Sequence, residues 1–156
     1  MKVLSKHGVY SEAELHSRCE ILLENYCKQT NIEALVMIEM VRSDILPAVI
    51  GFAKSLADAA SAQKAVCADL ACTAEITLLK KVSALCDCLY NKCEALDTAV
   101  MGVKELPEDF ALRAKYYRET VFAGMNELRA VADELETLVS KDFWPYPSYG
   151  RILYRV

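Results

Sequence analysis

Residues 117–138, YRETVFAGMNELRAVADELETL, decide the fold class. Tyr117, Val121, Gly124, Leu128, Val131, Leu135 and Leu138 recur at alternating steps of four and three. That spacing draws one apolar seam along an α-helix of the kind that packs against another helix. The charged residues Arg129, Asp133, Glu134 and Glu136 fall off the seam, as a solvated face with helical-spacing ion pairs requires. Gly124 on the seam predicts close approach of a neighbouring backbone.

Working outward, this helix is expected over 107–141. Pro107 is suited to its first turn, and Glu108 and Asp109 favour the positive end of its dipole. Gly102 is placed to close a preceding helix over 61–101, whose stripe is Leu78, Val82, Leu85, Leu89 and Leu96. A further helix over 31–58 buries Leu35, Ile38, Val41, Ile45, Val49, Phe52 and Leu56. Pro47 lacks an amide hydrogen and disfavours helical geometry at Leu46, so a kink or break is expected there. The boundary near Ala59 to Ala62 is weakly marked, and length decides it. An unbroken helix from Asn31 to Met101 would reach roughly 105 Å at 1.5 Å per residue, too long for the rest of the chain to cover.

The first helix, 11–30, opens on a capping box, in which Ser11 accepts from the Glu14 amide while the Glu14 carboxylate reaches back. Leu15, Cys19, Leu22 and Tyr26 step by four, three and four along it. No alternating strand pattern occurs between Ser11 and Lys141. The expectation is an all-α domain, 1–156, built as an antiparallel bundle of about four long helices, followed by an aromatic tail over 142–156.

The composition narrows the function. The chain has 156 residues with 54% hydrophobic, enough to bury a core, which excludes a disordered class. Lys and Arg number 18 against 22 Asp and Glu, a net charge of −4. Nucleic-acid binding needs a basic face to displace counterions, so this balance argues against it. The longest uncharged helical stretch, Ile45 to Ala53, is far short of the roughly 20 apolar residues of a membrane span. The N-terminal MKVLSKHGVYSEAEL holds no apolar signal region, and a cytoplasmic location with no membrane partner is expected.

No familiar catalytic pattern occurs in the sequence. There is no GxxxxGK and no GxGxxG to cradle phosphate. No Glu-x-x-His supports a di-iron bundle site. The seven cysteines, at 19, 27, 67, 72, 86, 88 and 93, include no Cys-x-x-Cys, and His7 and His16 lie far in sequence from Cys86, Cys88 and Cys93. Reduced thiols used as small core hydrophobes are expected, with no metal. His16 beside Arg18 is the one catalytic rival, because histidine phosphotransfer bundles use a single exposed histidine near a basic residue. Those proteins follow it with Lys and small residues, whereas Ser17-Arg18-Cys19-Glu20 follows here. Arg113, Lys115 and Arg118 beside Tyr116 and Tyr117 form a small basic-aromatic patch, read as surface.

The tail DFWPYPSYGRILYRV carries Phe143, Trp144, Tyr146, Tyr149 and Tyr154, a load that a free tail would expose at a cost in solubility. Trp144, Pro145, Tyr146, Pro147 and Tyr149 are therefore the candidate docking residues. The run Trp144 to Tyr154 resembles the WPxPxYxxLLF ending of type III glutamine synthetases. Met125-Asn126-Glu127-Leu128-Arg129 and Asp133 to Val139 are similar to the helix leading into that ending. Glu14 to Arg18, Ile32-Glu33-Ala34 and Leu46-Pro47-Ala48 are similar to earlier parts of the same C-terminal region.

The resemblance implies the C-terminal helical part of a longer enzyme that ligates ammonia to glutamate using ATP and divalent metal such as Mg. The family's catalytic residues lie upstream, so none is carried over, and no cofactor is expected in this chain. The implied partners are the catalytic domain of the parent chain and neighbouring subunits of an oligomer. The competing reading is an unrelated helical protein-interaction module.

Overall fold

The computed structural model describes residues 8–147 and 152–154, and among these every regular element is helical. Helix α1 spans Glu12–Met40 and starts as the sequence requires. The Ser11 amide donates to Glu14 Oε2 at 2.8 Å, and the Glu14 amide donates to Ser11 Oγ at 3.3 Å. The expected break between 30 and 31 does not occur. No Gly or Pro interrupts CKQTNIEAL, and Cys27, Thr30, Ala34 and Ile38 bury one continuous face, so the modest propensity cost of Thr30 and Asn31 is overridden.

At Pro47 the helix neither breaks nor stops. Val41–Ile45 forms a π-turn in which the Leu46 amide donates to the Val41 carbonyl, five residues back. A proline ring collides with the carbonyl four residues earlier. The extra residue of a π-turn re-spaces the carbonyls just ahead of it and lets the helix resume. Helix α2, Leu46–Val66, follows directly.

The chain reverses at 67–72, later than the expected boundary at 59–62. The alanine-rich residues 57–66 stay helical, in keeping with their propensity. Cys72 closes the turn in the left-handed region, φ 46° and ψ 38°, a conformation that disfavours any side chain with a Cβ. Its thiol donates to Gln63 Oε1 at 3.4 Å, tying the turn to the end of α2.

Helix α3, Thr73–Gly102, leads through a 3₁₀ turn, Val103–Glu105, to α4, Phe110–Tyr116. Asp109 caps α4, accepting from the amides of Ala111 at 2.8 Å and Leu112 at 3.3 Å. Arg113 folds back to donate to the carbonyls of Pro107 and Leu106, satisfying the loop. A second π-turn, Tyr117–Val121, joins α4 to α5, Phe122–Leu138. The chain thus forms three long helical runs, over 12–66, 73–102 and 110–138, where four separate helices were expected.

Helix α3 packs against both α2 and α5, and α1 packs against α4 and α3. The deepest side chains are Leu89, Leu96, Leu128, Leu135, Val49, Val82, Val121 and Cys93. The seam read from 117–138 is the buried face of the third run: Tyr117, Val121, Leu128 and Leu135 are buried, Val131 and Leu138 half-buried. At Gly124 the close neighbour is a side chain, not a backbone: an added Cβ would lie 3.3 Å from Leu96 Cδ1. The stripe expected on the first helix is not core. Leu22 is 70% exposed, Tyr26 37%, and Cys19 is exposed as well. Leu35 also points outward.

Candidate docking site of the C-terminal segment

Helix α5 ends at Leu138, and Val139 turns the backbone into an extended conformation. Ser140 then organises a tight reversal. Its carbonyl accepts from the amides of Phe143 at 2.9 Å and Trp144 at 3.0 Å, and its hydroxyl accepts from the Asp142 amide. The reversal sends the aromatic segment back across α1 and α2.

Several contacts fix it there. Phe143 lies over Gly51, where the missing side chain leaves room: an added Cβ would sit 3.4 Å from the Phe143 ring. The same ring meets Phe52 tilted, with centroids 5.7 Å apart and planes at 59°, within the range of favourable aromatic pairs. Trp144 and Tyr146 are half-buried beside a cleft of about 500 Å³ whose apolar walls include Met37, Met40, Val41, Ile45 and Leu128. Arg129, Asp133 and Glu136 also line this cleft.

The Tyr146 hydroxyl donates to Asp44 Oδ2 at 2.7 Å. Burial, the Asp44 hydrogen bond and the Asp44 charge together push the phenol up to about 12. Asp44 belongs to the π-turn, so the irregular segment that relieves Pro47 also supplies the acceptor for the tail.

Of the residues singled out in the sequence, Trp144 and Tyr146 are brought to this cleft. Pro145 is exposed, and Pro147 is exposed at the cleft margin. Tyr149 lies outside the described residues. Ile152 also lines the cleft but is 60% exposed, and Leu153 and Tyr154 are more exposed still.

The other candidate groups disperse. His16 sits 3.5 Å from Glu20 on an exposed turn of α1, and His7 lies outside the described residues. Arg113 is committed to loop carbonyls, and Arg118 stacks 4.9 Å over Phe122. Tyr116 donates to the Ala99 carbonyl and Tyr117 to Asn31 Oδ1, so both phenols serve packing between helices. Cys93 is buried while Cys86 and Cys88 are half-buried. Desolvation pushes the Cys86 and Cys93 thiols upward, away from the reactive thiolate. Among the described residues no three His, Cys, Asp or Glu side chains converge as metal donors, and no helix is long and apolar enough to cross a membrane.

Two features escaped the sequence reading. Arg42 Nη2 bridges Glu94 and Asp97 at 2.7 Å each, joining the π-turn to α3. A second cleft of about 730 Å³ opens where α1 meets the end of α3 and the start of α4, lined among others by Lys28, Asn31, Met101 and Phe110. Only sequence-distant pairing creates either, and no local signal marks them.

A family model described as the glutamine synthetase C-terminal domain matches residues 1–64. A glutamine synthetase from Butyrivibrio fibrisolvens is 36% identical over 155 residues, 97% of this chain and 22% of that protein. The type-3 glutamine synthetase of Dictyostelium discoideum is 29% identical over 161 residues, 99% of this chain and 21% of its own length. A glutamine synthetase from Bacteroides fragilis is 24% identical, over 97% of this chain and 21% of its own length. The chain spans about a fifth of the length of these relatives.

Proposed function

We propose that this chain, whose residues 1–64 match the glutamine synthetase C-terminal domain family, is a non-catalytic structural domain of a type III glutamine synthetase. In this reading the parent enzyme joins ammonia to glutamate with ATP and divalent metal, on residues that lie outside this chain. The domain's work is mechanical. It presents a helical bundle, its runs packed antiparallel, to the catalytic domain and to neighbouring subunits of a cytoplasmic oligomer.

The observation that carries this reading is the tail. Prolines restrict the backbone around Trp144 and Tyr146, so little further entropy is lost when the rings are held. Phe143, Trp144 and Tyr146 engage the domain's own helices, while Ile152, Leu153 and Tyr154 face outward. A segment anchored at one end and apolar at the other is suited to joining a domain to its neighbour.

The test is deletion of 142–156 in this chain and in the parent enzyme, reading melting temperature and oligomer mass. A destabilised chain together with a disassembled enzyme supports the proposal. An enzyme that keeps its mass and activity without the segment removes it. Catalysis is tested separately: saturable Mg-ATP binding to this chain in calorimetry would overturn the non-catalytic assignment.

A further inference from the structure

The sequence marks Leu15, Cys19, Leu22 and Tyr26 as a buried stripe, and the structure leaves Cys19, Leu22 and Tyr26 exposed and Leu15 half-buried. None of residues 12–26 is buried, and Cys27 is the first residue of α1 that is. Over these four turns Leu23 packs half-buried against the core, and the stripe beside it keeps the four-three-four spacing of a packing seam. The stripe stops where α1 enters the body. On the same face, the next positions are Gln29 and Glu33, hydrogen-bonded to each other at 2.9 Å. An apolar seam confined to the uncovered part of a helix is placed for something beyond this chain.

The helix is also fixed before anything binds. The capping box sets its first turn, and Arg18 stacks 4.6 Å over Tyr10, holding the lead against it. A rigid seam loses little conformational entropy on docking.

We infer that residues 12–26 of α1 are the contact surface for the part of the parent chain that precedes this domain, an inference that rests on the reading above. The relatives are several times longer than this chain, and the family is a C-terminal one, so the remainder of the parent polypeptide enters through the N-terminal lead, a few residues from the stripe. That connection gives an upstream surface a high effective concentration at the stripe. A second copy of this chain lacks that advantage. Four side chains on four turns bury at most a few hundred Å² per partner, below the roughly 800 Å² per partner of a standard dimer interface. The occupant is thus an apolar surface of the preceding domain, with Leu22 as the central knob.

The experiment places a photo-crosslinking benzoylphenylalanine at position 22 of the full parent enzyme and maps the adducts, alongside Leu22→Lys in the parent and in this chain. Adducts to residues preceding this domain are expected. Leu22→Lys is expected to shift the melting temperature of this chain by less than about 1 °C, since the residue is exposed, while lowering that of the parent. Adducts to α1 of a second copy, or no adduct and an unaffected parent, overturn the assignment. Removing the whole domain from the parent separates the two failures. If that deletion disturbs assembly while position 22 is silent, the stripe assignment falls and the structural reading stands. If it leaves assembly intact, the structural reading itself falls.

Discussion

Tyr146 and Asp44, 102 residues apart in sequence, form a 2.7 Å hydrogen bond that ties the aromatic tail to the π-turn of the long first run. The bond has a pH signature. Burial and the contact with Asp44 push the folded phenol up to about 12, above the ordinary tyrosine value of 10.0. Below pH 10 the phenol keeps its proton whether the chain is folded or not, so the contribution is complete. Between pH 10 and 12 the unfolded state loses the proton first, and stability falls as pH rises. Tyr146→Phe should cost about 1 kcal/mol at neutral pH, because exposed Asp44 regains water as a partner. It should also flatten the alkaline limb of a denaturation-versus-pH series. Identical alkaline limbs for the two proteins would show that the bond does not form in solution.

The buried seam of α5 supplies a second test. Leu128 is fully buried, and Leu128→Ala should cost about 2–5 kcal/mol. Its neighbour Glu127 is exposed and accepts from Lys92 Nζ at 2.8 Å. Glu127→Ala should therefore cost far less, since it removes only a solvent-screened surface ion pair. Urea denaturation resolves the two, and comparable small losses would mean that the helix is rotated from the phase described.

Two glycines should respond differently to alanine. At Gly51 the new methyl makes ordinary contact with Phe143, so the gain in helix propensity, about 0.5–1 kcal/mol, should show as stabilisation. At Gly124 it presses on Leu96, which is 1% exposed and has little room to yield. Gly124→Ala should fall at least about 1 kcal/mol below Gly51→Ala. Equal gains in thermal unfolding would show that the α3–α5 contact is looser than this geometry.

What the sequence made legible, and what it did not, follows from the range of each signal. The 117–138 seam was readable because a helix must repeat its buried side every three or four residues, and Leu128 and Leu135 occupy that side with nothing to interrupt them. The division at residue 30 was misplaced because no residue there breaks a helix. The division near 60 was misplaced because alanine continues one, and the reversal instead falls where Cys72 accepts a left-handed backbone. Pro47 marks an irregularity, but not its form, a π-turn whose end residues Val41 and Ile45 are both buried. The Leu15–Tyr26 stripe has helical spacing yet is not buried, since periodicity reports which face is apolar and not what lies against it. Trp144 and Tyr146 stood out by residue type, whereas Asp44, Gly51 and Phe52, which receive the tail, carry no local mark.

Thiol chemistry should sort the cysteines by depth. Cys19 and Cys67 are exposed, whereas Cys27, Cys72 and Cys93 are buried. Burial pushes the thiols of Cys27, Cys86 and Cys93 upward, leaving less thiolate at neutral pH. Under native conditions a chromogenic disulfide reagent should modify Cys19 and Cys67 in a fast phase, and all seven only after denaturation. Elemental analysis should find no stoichiometric zinc. A fast phase that includes Cys93, or zinc near one equivalent, would contradict this assignment.

Trp144 is the only tryptophan in the chain, so its emission reports the tail alone. It is half-buried beside Met37, Met40 and Val41, and native emission should lie to the blue of free indole in water. The tail is held by three separable contacts: the Phe143–Phe52 pair, the indole in its cleft and the Tyr146–Asp44 bond. Disrupting one should loosen but not release the segment, because the others keep the chain close. Asp44→Ala should shift the emission slightly to the red. Phe52→Ala, which removes a buried ring as well as the tail contact, should shift it further and cost about 3–5 kcal/mol of global stability. The combination with Gly51→Leu, which places a larger side chain where Phe143 now lies, should bring the emission to that of a solvated tryptophan while the overall helical circular dichroism signal is kept. Emission that stays blue in the combined variant would mean that the indole is held by something other than this cleft.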